Sequence, residues 1–148
     1  MKKKKRRYRY IAPSHKYERK GIYSIEEVLE KAVDPMKSLK GIQTRLIEKE
    51  FDGDMIYMDS QNYELFKKKG VKCVCCGIEG RFFAKEKNKG AKRYHFNLYA
   101  IDKKGREVLM TKDHITPKAL GGLDILENYQ TMCKICNEQK GSKFTKIV

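Results

Sequence analysis

Two cysteine pairs lie far apart in this 148-residue chain, and each pair encloses two residues. The first pair is Cys73 and Cys76, and the second is Cys133 and Cys136. Two such pairs are a common ligand set for zinc, which binds four thiolates in a tetrahedron at about 2.3 Å. Because four thiolates leave no open position on the ion, we expect a structural zinc rather than a catalytic one.

Two alternatives for the cysteines follow from the same residues. A single CxxC pair can act in thiol–disulfide exchange, but two pairs outside a thioredoxin-like context favour metal binding. The fifth cysteine, Cys75, follows Val74 in the sequence CVCCG, and we predict a free thiol there, with substitution for Cys73 as the alternative. This cysteine usage is typical of a reducing compartment.

A carboxylate and an imidazole stand side by side at Asp113 and His114. They open the stretch DHITPKALGGLDILENYQTMCKICNEQKGS, which runs from Asp113 to Ser142 and contains the second cysteine pair. A neutral imidazole can take a proton at physiological pH because its unperturbed pKa is near 6.5. Carboxylate and amide oxygens are hard ligands that suit Mg²⁺ or Mn²⁺. These residue types are suited to metal-assisted hydrolysis.

The order of these residues, DHI-x-P, GG, N and C-x-x-C-N-x-x-K-G, resembles the HNH endonuclease family. The likeness covers Lys72 to Ser142 when the first cysteine pair is included. The third signature residue, a histidine in the family's name, is Asn137 here, as it is in many members. The resemblance implies an α+β fold built on a ββα-metal finger with a structural zinc.

The resemblance also implies a function, the metal-dependent hydrolysis of DNA phosphodiester bonds. His114 would be the general base, while Asp113 and the Asn137 side-chain oxygen would hold a catalytic Mg²⁺ or Mn²⁺. Asn128 would brace the loop and orient the base. Three lysines could contact flanking phosphates: Lys140, Lys118 and Lys143. Because neighbouring strand residues point to opposite faces, we expect a bulge or a strand end at Asp113 and His114.

The chain divides into three parts by its pattern. Residues 1–20 (MKKKKRRYRYIAPSHKYERK) predict a basic flexible arm suited to nucleic acid, with a solubilising tail or targeting signal as the alternative. Residues 21–70 predict a small helical region, and residues 71–148 the nuclease domain. The predicted helices are Ser24–Val33 with a Ser24–Glu27 capping box, a second beginning at Pro35, and Ser60–Lys69. The predicted strands are Met55–Met58, Arg81–Lys85, Tyr94–Ala100 and Glu107–Thr111, with a basic loop at Lys85–Arg93.

The formal net charge of +15 indicates a polyanionic partner. We expect double-stranded DNA, no small-molecule cofactor, and a cytoplasmic location in a bacterium or phage-infected cell. The sequence has no run of about 20 apolar residues and no signal-peptide pattern, so we expect no membrane association. Two other functions fit the same residues: a non-catalytic zinc-stabilised nucleic-acid-binding module, and a ribonuclease that uses the same site.

Overall fold

The computed structural model describes residues 17–36 and 45–141 of the chain. Within these residues a five-stranded antiparallel sheet has the order β1-β4-β5-β6-β7, and β2 and β3 form a separate hairpin. The strands are β1 (Tyr17–Tyr23), β2 (Glu48–Phe51), β3 (Asp54–Tyr57), β4 (Gly80–Asn88), β5 (His95–Ile101), β6 (Glu107–His114) and β7 (Tyr129–Cys133). The α-helices are α1 (Ile25–Glu30), α2 (Gln61–Lys69) and α3 (Lys134–Lys140). The expected mixture of a sheet with few helices is confirmed.

The core lies between the sheet and α2. Aromatic rings of Tyr63, Phe83 and Phe96 meet edge to face there, with centroids 6.1 to 6.4 Å apart. These three side chains are almost completely buried, so they contribute much of the apolar area removed from water. No helix in the described part of the chain combines the length and the apolar character needed to cross a membrane.

Helix α2 agrees with the prediction for Ser60–Lys69. The Ser60 hydroxyl caps its first turn by accepting from the Tyr63 amide, and Gly70, with φ of 92°, ends it. The helix packs against β6 and β7. At its C-terminal end, the Lys69 ammonium donates to the carbonyls of Leu126 and Tyr129 at 2.8 and 2.6 Å. Helix α2 therefore supports the segment that precedes and begins β7.

The N-terminal region contains strands as well as helices, so the prediction of a helical region 21–70 is not confirmed. Helix α1 has the predicted Ser24–Glu27 capping box, but it ends at Glu30 rather than at Val33. Residues 45–47, the described end of the second predicted helix, are not helical, and residues 37–44 lie outside the described ranges.

Strand β1 includes Tyr17–Lys20, which the sequence placed in the flexible arm; residues 1–16 lie outside the described ranges. Its half-buried positions alternate with exposed ones, and one of them is Arg19. The Arg19 guanidinium pairs with Glu107 at 2.6 Å and with Glu86 at 3.4 Å. An arginine that faces inward and pairs with two carboxylates interrupts the alternation of hydrophobic and polar residues that predicts a strand. The strand was not predicted for that reason.

A buried lysine joins the β2–β3 hairpin to the main sheet. Lys85 was predicted at the start of a basic loop, but β4 continues to Asn88 and the Lys85 side chain is buried. Its ammonium donates to the Phe51 carbonyl at 2.9 Å and to the Asp54 carboxylate at 2.7 Å. A buried ammonium needs such partners to offset its lost hydration.

Acidification is expected to weaken this connection. Hydrogen bonds from Lys20 and Lys85 lower the pKa of Asp54. The Asp54 carboxylate therefore stabilises the fold above its unfolded pKa of about 3.9, and this contribution is lost as the pH falls through the lower folded pKa. We expect the melting temperature to fall on acidification, and to fall less in Asp54→Asn, where residue 54 cannot titrate. Circular-dichroism melts at a series of pH values measure both; identical losses would contradict the assignment.

Candidate active site and metal centre

The four predicted zinc ligands come together in space. One sulfur from each of Cys73, Cys76, Cys133 and Cys136 lies within 4.8 Å of the others. The Cys76 and Cys133 sulfurs are 3.8 Å apart. A tetrahedral ion with metal–sulfur bonds of about 2.3 Å has sulfurs about 3.8 Å from one another, so the cluster could hold zinc. Cys75 is exposed and outside the group, so the alternative in which it replaces Cys73 is not supported.

Local backbone geometry prepares the cluster for metal. The Gly77 amide donates to the Cys73 carbonyl at 3.0 Å, and φ of Gly77 is 78°, which closes a tight turn. Burial opposes ionisation of the Cys73 thiol, but hydrogen bonds to backbone amides outweigh it and lower its pKa to about 7. Burial and the neighbouring sulfurs raise the pKa of Cys136. Four thiolates therefore require a cation at this place.

The cluster also fixes the start of α3. Cys133 is the last residue of β7 and the N-cap of α3, and its sulfur accepts from the Cys136 amide at 3.5 Å. Asn137 and Lys140 lie on the helix that begins there. Any ion that holds Cys133 and Cys136 therefore sets where these two side chains lie relative to β6.

Asp113 and His114 are the last residues of β6. The strand pairs with β7 without interruption, Asp113 opposite Gln130 and His114 opposite Tyr129. The described strand therefore has an end here and no bulge, which is the second of the two arrangements that we expected. Asp113 faces α3, and His114 faces the loop that follows β6. At the end of a strand, one cleft can reach side chains on both faces.

Such a cleft is present and has a volume of about 290 Å³. Five of the predicted site residues line it: Asp113, His114, Lys118, Asn137 and Lys140. Asn128 does not line it, and Lys143 lies outside the described residues. Lys112 also lines the cleft, although nothing in its sequence context predicted a role for it.

The Asp113 carboxylate already holds a cation. Its Oδ2 accepts from the Lys140 ammonium at 2.7 Å and from the Gln130 amide at 2.9 Å, in a largely buried ion pair. Lys140 also donates to the His114 carbonyl. Nearby, Asn137 donates through Nδ2 to the Thr111 hydroxyl at 2.8 Å. Within the described residues no donor reaches Asn137 Oδ1. A carboxylate and an amide oxygen therefore share one cleft, a donor set that fits Mg²⁺ or Mn²⁺.

The His114 ring is held on two sides. Its Nε2 is 2.7 Å from Asp124 Oδ1, and its plane meets the Tyr129 ring edge to face at 5.0 Å. Hydrogen bonds with His114 and with the Lys118 ammonium lower the pKa of Asp124. An ionised Asp124 accepts the Nε2 proton, which leaves the lone pair on Nδ1.

Asp124 was missed because nothing in its immediate sequence marks it as more than a loop carboxylate. The only feature of the sequence that could have indicated Asp124 was its position in the Gly121–Gly122 loop, which follows His114. The Asn128 side chain makes three hydrogen bonds within this loop. Its Oδ1 accepts from the Thr116 amide at 2.9 Å, and its Nδ2 donates to the carbonyls of Thr116 and Leu123 at 3.0 and 2.9 Å. In the part of the chain that the structure describes, its side chain shares no hydrogen bond with His114.

Comparison with known proteins agrees with this geometry. Residues 102–147 match the family model described as HNH endonuclease, and this range includes β6, β7 and α3. Neither a curated protein nor a solved structure matches the chain. The match leaves out the first cysteine pair, which the resemblance had included. Domains of this family indicate a nuclease that acts on nucleic acid. Residues 102–147 therefore match the HNH endonuclease family, the one that the resemblance named.

Proposed function

We propose that the chain is a metal-dependent endonuclease that hydrolyses phosphodiester bonds of double-stranded DNA in the cleft at the end of β6. In this proposal β6, β7 and α3 form the ββα-metal finger within a nuclease domain of residues 71–148. Residues 1–20 are a basic arm and residues 21–70 an accessory region. The observation that carries the proposal is the cleft itself, where Asp113, His114 and Asn137 meet.

His114 is the general base in this proposal. Asp124 accepts its Nε2 proton, so Nδ1 takes the proton from the attacking water. The Tyr129 ring limits rotation of the imidazole. A base that is already in the required tautomer and orientation pays no reorganisation cost in the transition state.

Asp113 and Asn137 would hold the divalent ion through their side-chain oxygens. When bound, that ion neutralises charge on the phosphate and on the leaving 3′ oxygen. Lys140 pairs with Asp113 at 2.7 Å and keeps a positive charge beside the cleft. Lys118 lies on the other side, 3.1 Å from Asp124. These two lysines, with Lys112, make the cleft attractive to a phosphate.

A cleavage assay on several nucleic acids tests the proposal. Supercoiled plasmid, linear duplex DNA and RNA are incubated with the full chain, with and without added Mg²⁺ or Mn²⁺. We expect metal-dependent nicking or cutting of the DNA. Cutting of RNA alone would identify a ribonuclease, and salt-sensitive binding without cutting of any substrate would identify a binding module, so either result would overturn the proposal.

Asp124 offers a test of how His114 is positioned. In Asp124→Asn the acceptor for Nε2–H becomes neutral and its amide group can favour the wrong tautomer. We expect kcat to fall about 10- to 100-fold, with little change in KM or in zinc content. Asp102→Asn, at the β5–β6 turn, is the matched control and should keep its kcat. Equal rates for the two variants would remove Asp124 from the site.

A further inference from the structure

A second cavity, of about 330 Å³, lies beside the N-terminus of α2 and shares no lining residue with the catalytic cleft. Cations, aromatic rings and amides line it, among them Arg45, Tyr57, Asn62, Arg93, Tyr94 and His95. Such a combination is unusual for a purely structural gap, because unfilled apolar packing defects are lined by aliphatic side chains. It is typical of a site for a polar, planar and negatively charged ligand.

Arg45 supplies positive charge to this cavity. Its side chain is exposed, and no carboxylate pairs with it in the described ranges. The positive charge of Arg45 affects one titratable group in the cavity and one in the catalytic cleft. Burial lowers the pKa of His95 and Arg45 lowers it further, and Arg45 also contributes to lowering the pKa of Lys112, where burial is again the main cause. Arg45 therefore lies within electrostatic reach of both the cavity and the catalytic cleft.

A flat platform forms part of the cavity wall. The Arg93 guanidinium lies 4.3 Å from the centroid of the Tyr57 ring, and an ion pair with Glu48 holds it there. Guanidinium planes and aromatic rings are the surfaces on which unpaired nucleobases stack. The neighbouring Tyr94 ring has the Lys87 ammonium 4.9 Å from its centroid, which adds positive charge at the rim.

The cavity and the cleft are joined through one residue of α2. Gln61 Oε1 accepts from the Lys112 ammonium at 2.7 Å and from the Tyr129 hydroxyl at 3.0 Å. Lys112 lines the cleft, and Tyr129 packs against His114. The next residue of the helix, Asn62, lines the cavity. Adjacent residues of α2 therefore contact the catalytic cleft and line the cavity.

We propose that this cavity is a second nucleic-acid subsite, which binds a backbone phosphate on Arg45 and an unpaired base on the Tyr57–Arg93 stack. The inference rests on the proposed function for its substrate class. Bases within a duplex are already stacked on their neighbours, so the ligand is a nucleotide flanking the cleavage site whose base has left the helix or was never paired. The site thus favours substrates with an unpaired base beside the scissile phosphate.

Binding without catalysis tests this subsite. Fluorescence anisotropy is measured with the full chain and no added divalent ion, on a single-stranded oligonucleotide and on an abasic oligonucleotide of the same length. Arg45→Ala should weaken binding to both probes and lower the salt dependence, log K against log salt, by about 0.7. Tyr57→Leu should weaken binding at least about fivefold on the normal probe alone. Arg81→Ala is the matched control, because Arg81 is also exposed but lines neither the cavity nor the cleft.

The outcomes separate this inference from the nuclease proposal. If Arg45→Ala and Arg81→Ala bind the probes with the same affinity and the same salt dependence, Arg45 does not bind a backbone phosphate. If Tyr57→Leu weakens binding equally on both probes, the base contact is wrong. Melting temperatures of all three variants show whether the fold is retained, and Arg45→Ala keeps the test decisive because its side chain is exposed and has no ion pair with a described residue. Cleavage by His114→Ala would overturn the nuclease mechanism without changing any of these binding results.

Discussion

Replacing His114 with alanine is expected to slow DNA cleavage by about 10²- to 10⁴-fold, the usual contribution of a general base. The side chain has no part in the cysteine cluster, and its contacts are with Asp124 and the Tyr129 ring at the edge of the cleft. Removing it therefore takes away the proton acceptor but leaves β6, β7 and α3 in place. The measurement is the single-turnover rate on plasmid DNA with Mg²⁺ or Mn²⁺.

Two controls distinguish a lost base from a damaged fold. His114→Ala should keep the melting temperature and zinc content of the wild-type chain, since the imidazole is partly exposed and its loss opens no core cavity. Added imidazole should restore part of the rate, because a small base can occupy the vacated position. Unchanged cutting by His114→Ala would remove the residue from the mechanism, and a failure of imidazole to help would point to a positioning role only.

The parts of the site that the sequence predicted are those in which residue type alone restricts the chemistry. Four cysteines in two pairs have few roles other than binding metal, and the structure gathers them. An acid, an imidazole and an amide, in the order that the HNH endonuclease family shows, likewise restrict the chemistry by their residue types, and all three line the cleft. Helix α2 was predictable because Ser60 and Gly70 mark its ends through local backbone chemistry.

The parts that the sequence did not predict depend on distant partners. Arg19 and Lys85 carry charges that predict exposure, yet both face inward because carboxylates from other strands receive them. The pairing of β1 with β4 joins residues 60 to 71 positions apart, a choice that no local pattern encodes. Asp124 was not predicted for the same reason, because only its short distance to His114 in the folded chain marks it as part of the site.

The cysteine cluster links the two halves of the folded unit. Cys73 and Cys76 precede β4, while Cys133 and Cys136 span the junction of β7 and α3. Beyond the sulfurs, the Val74 amide donates to the Thr131 carbonyl at 3.0 Å, and the Thr131 hydroxyl donates to the Gly70 carbonyl at 2.7 Å. These few hydrogen bonds each contribute about 1 kcal/mol, far less than a bound structural zinc. The ion should therefore dominate the attachment of the first cysteine pair to β7 and to the start of α3, whose later residues Asn137 and Lys140 also bond to Thr111 and Asp113.

Cys133→Ser is accordingly expected to release the zinc, lower the melting temperature sharply and abolish cleavage. Structural zinc contributes about 10–16 kcal/mol in zinc-finger peptides, which is as large as the whole stability of a typical domain. Loss of the ion also frees the start of α3, so only the hydrogen bonds to Thr111 and Asp113 still hold Asn137 and Lys140 at the cleft. Elemental analysis should give one zinc per wild-type chain and none per variant, and calorimetry should show the fall in melting temperature.

Cys75→Ser is the matched control, because Cys75 is exposed and outside the cluster, and it should retain zinc, stability and cutting. A Cys133→Ser chain that keeps its zinc and its melting temperature would show that the four sulfurs do not act as one site.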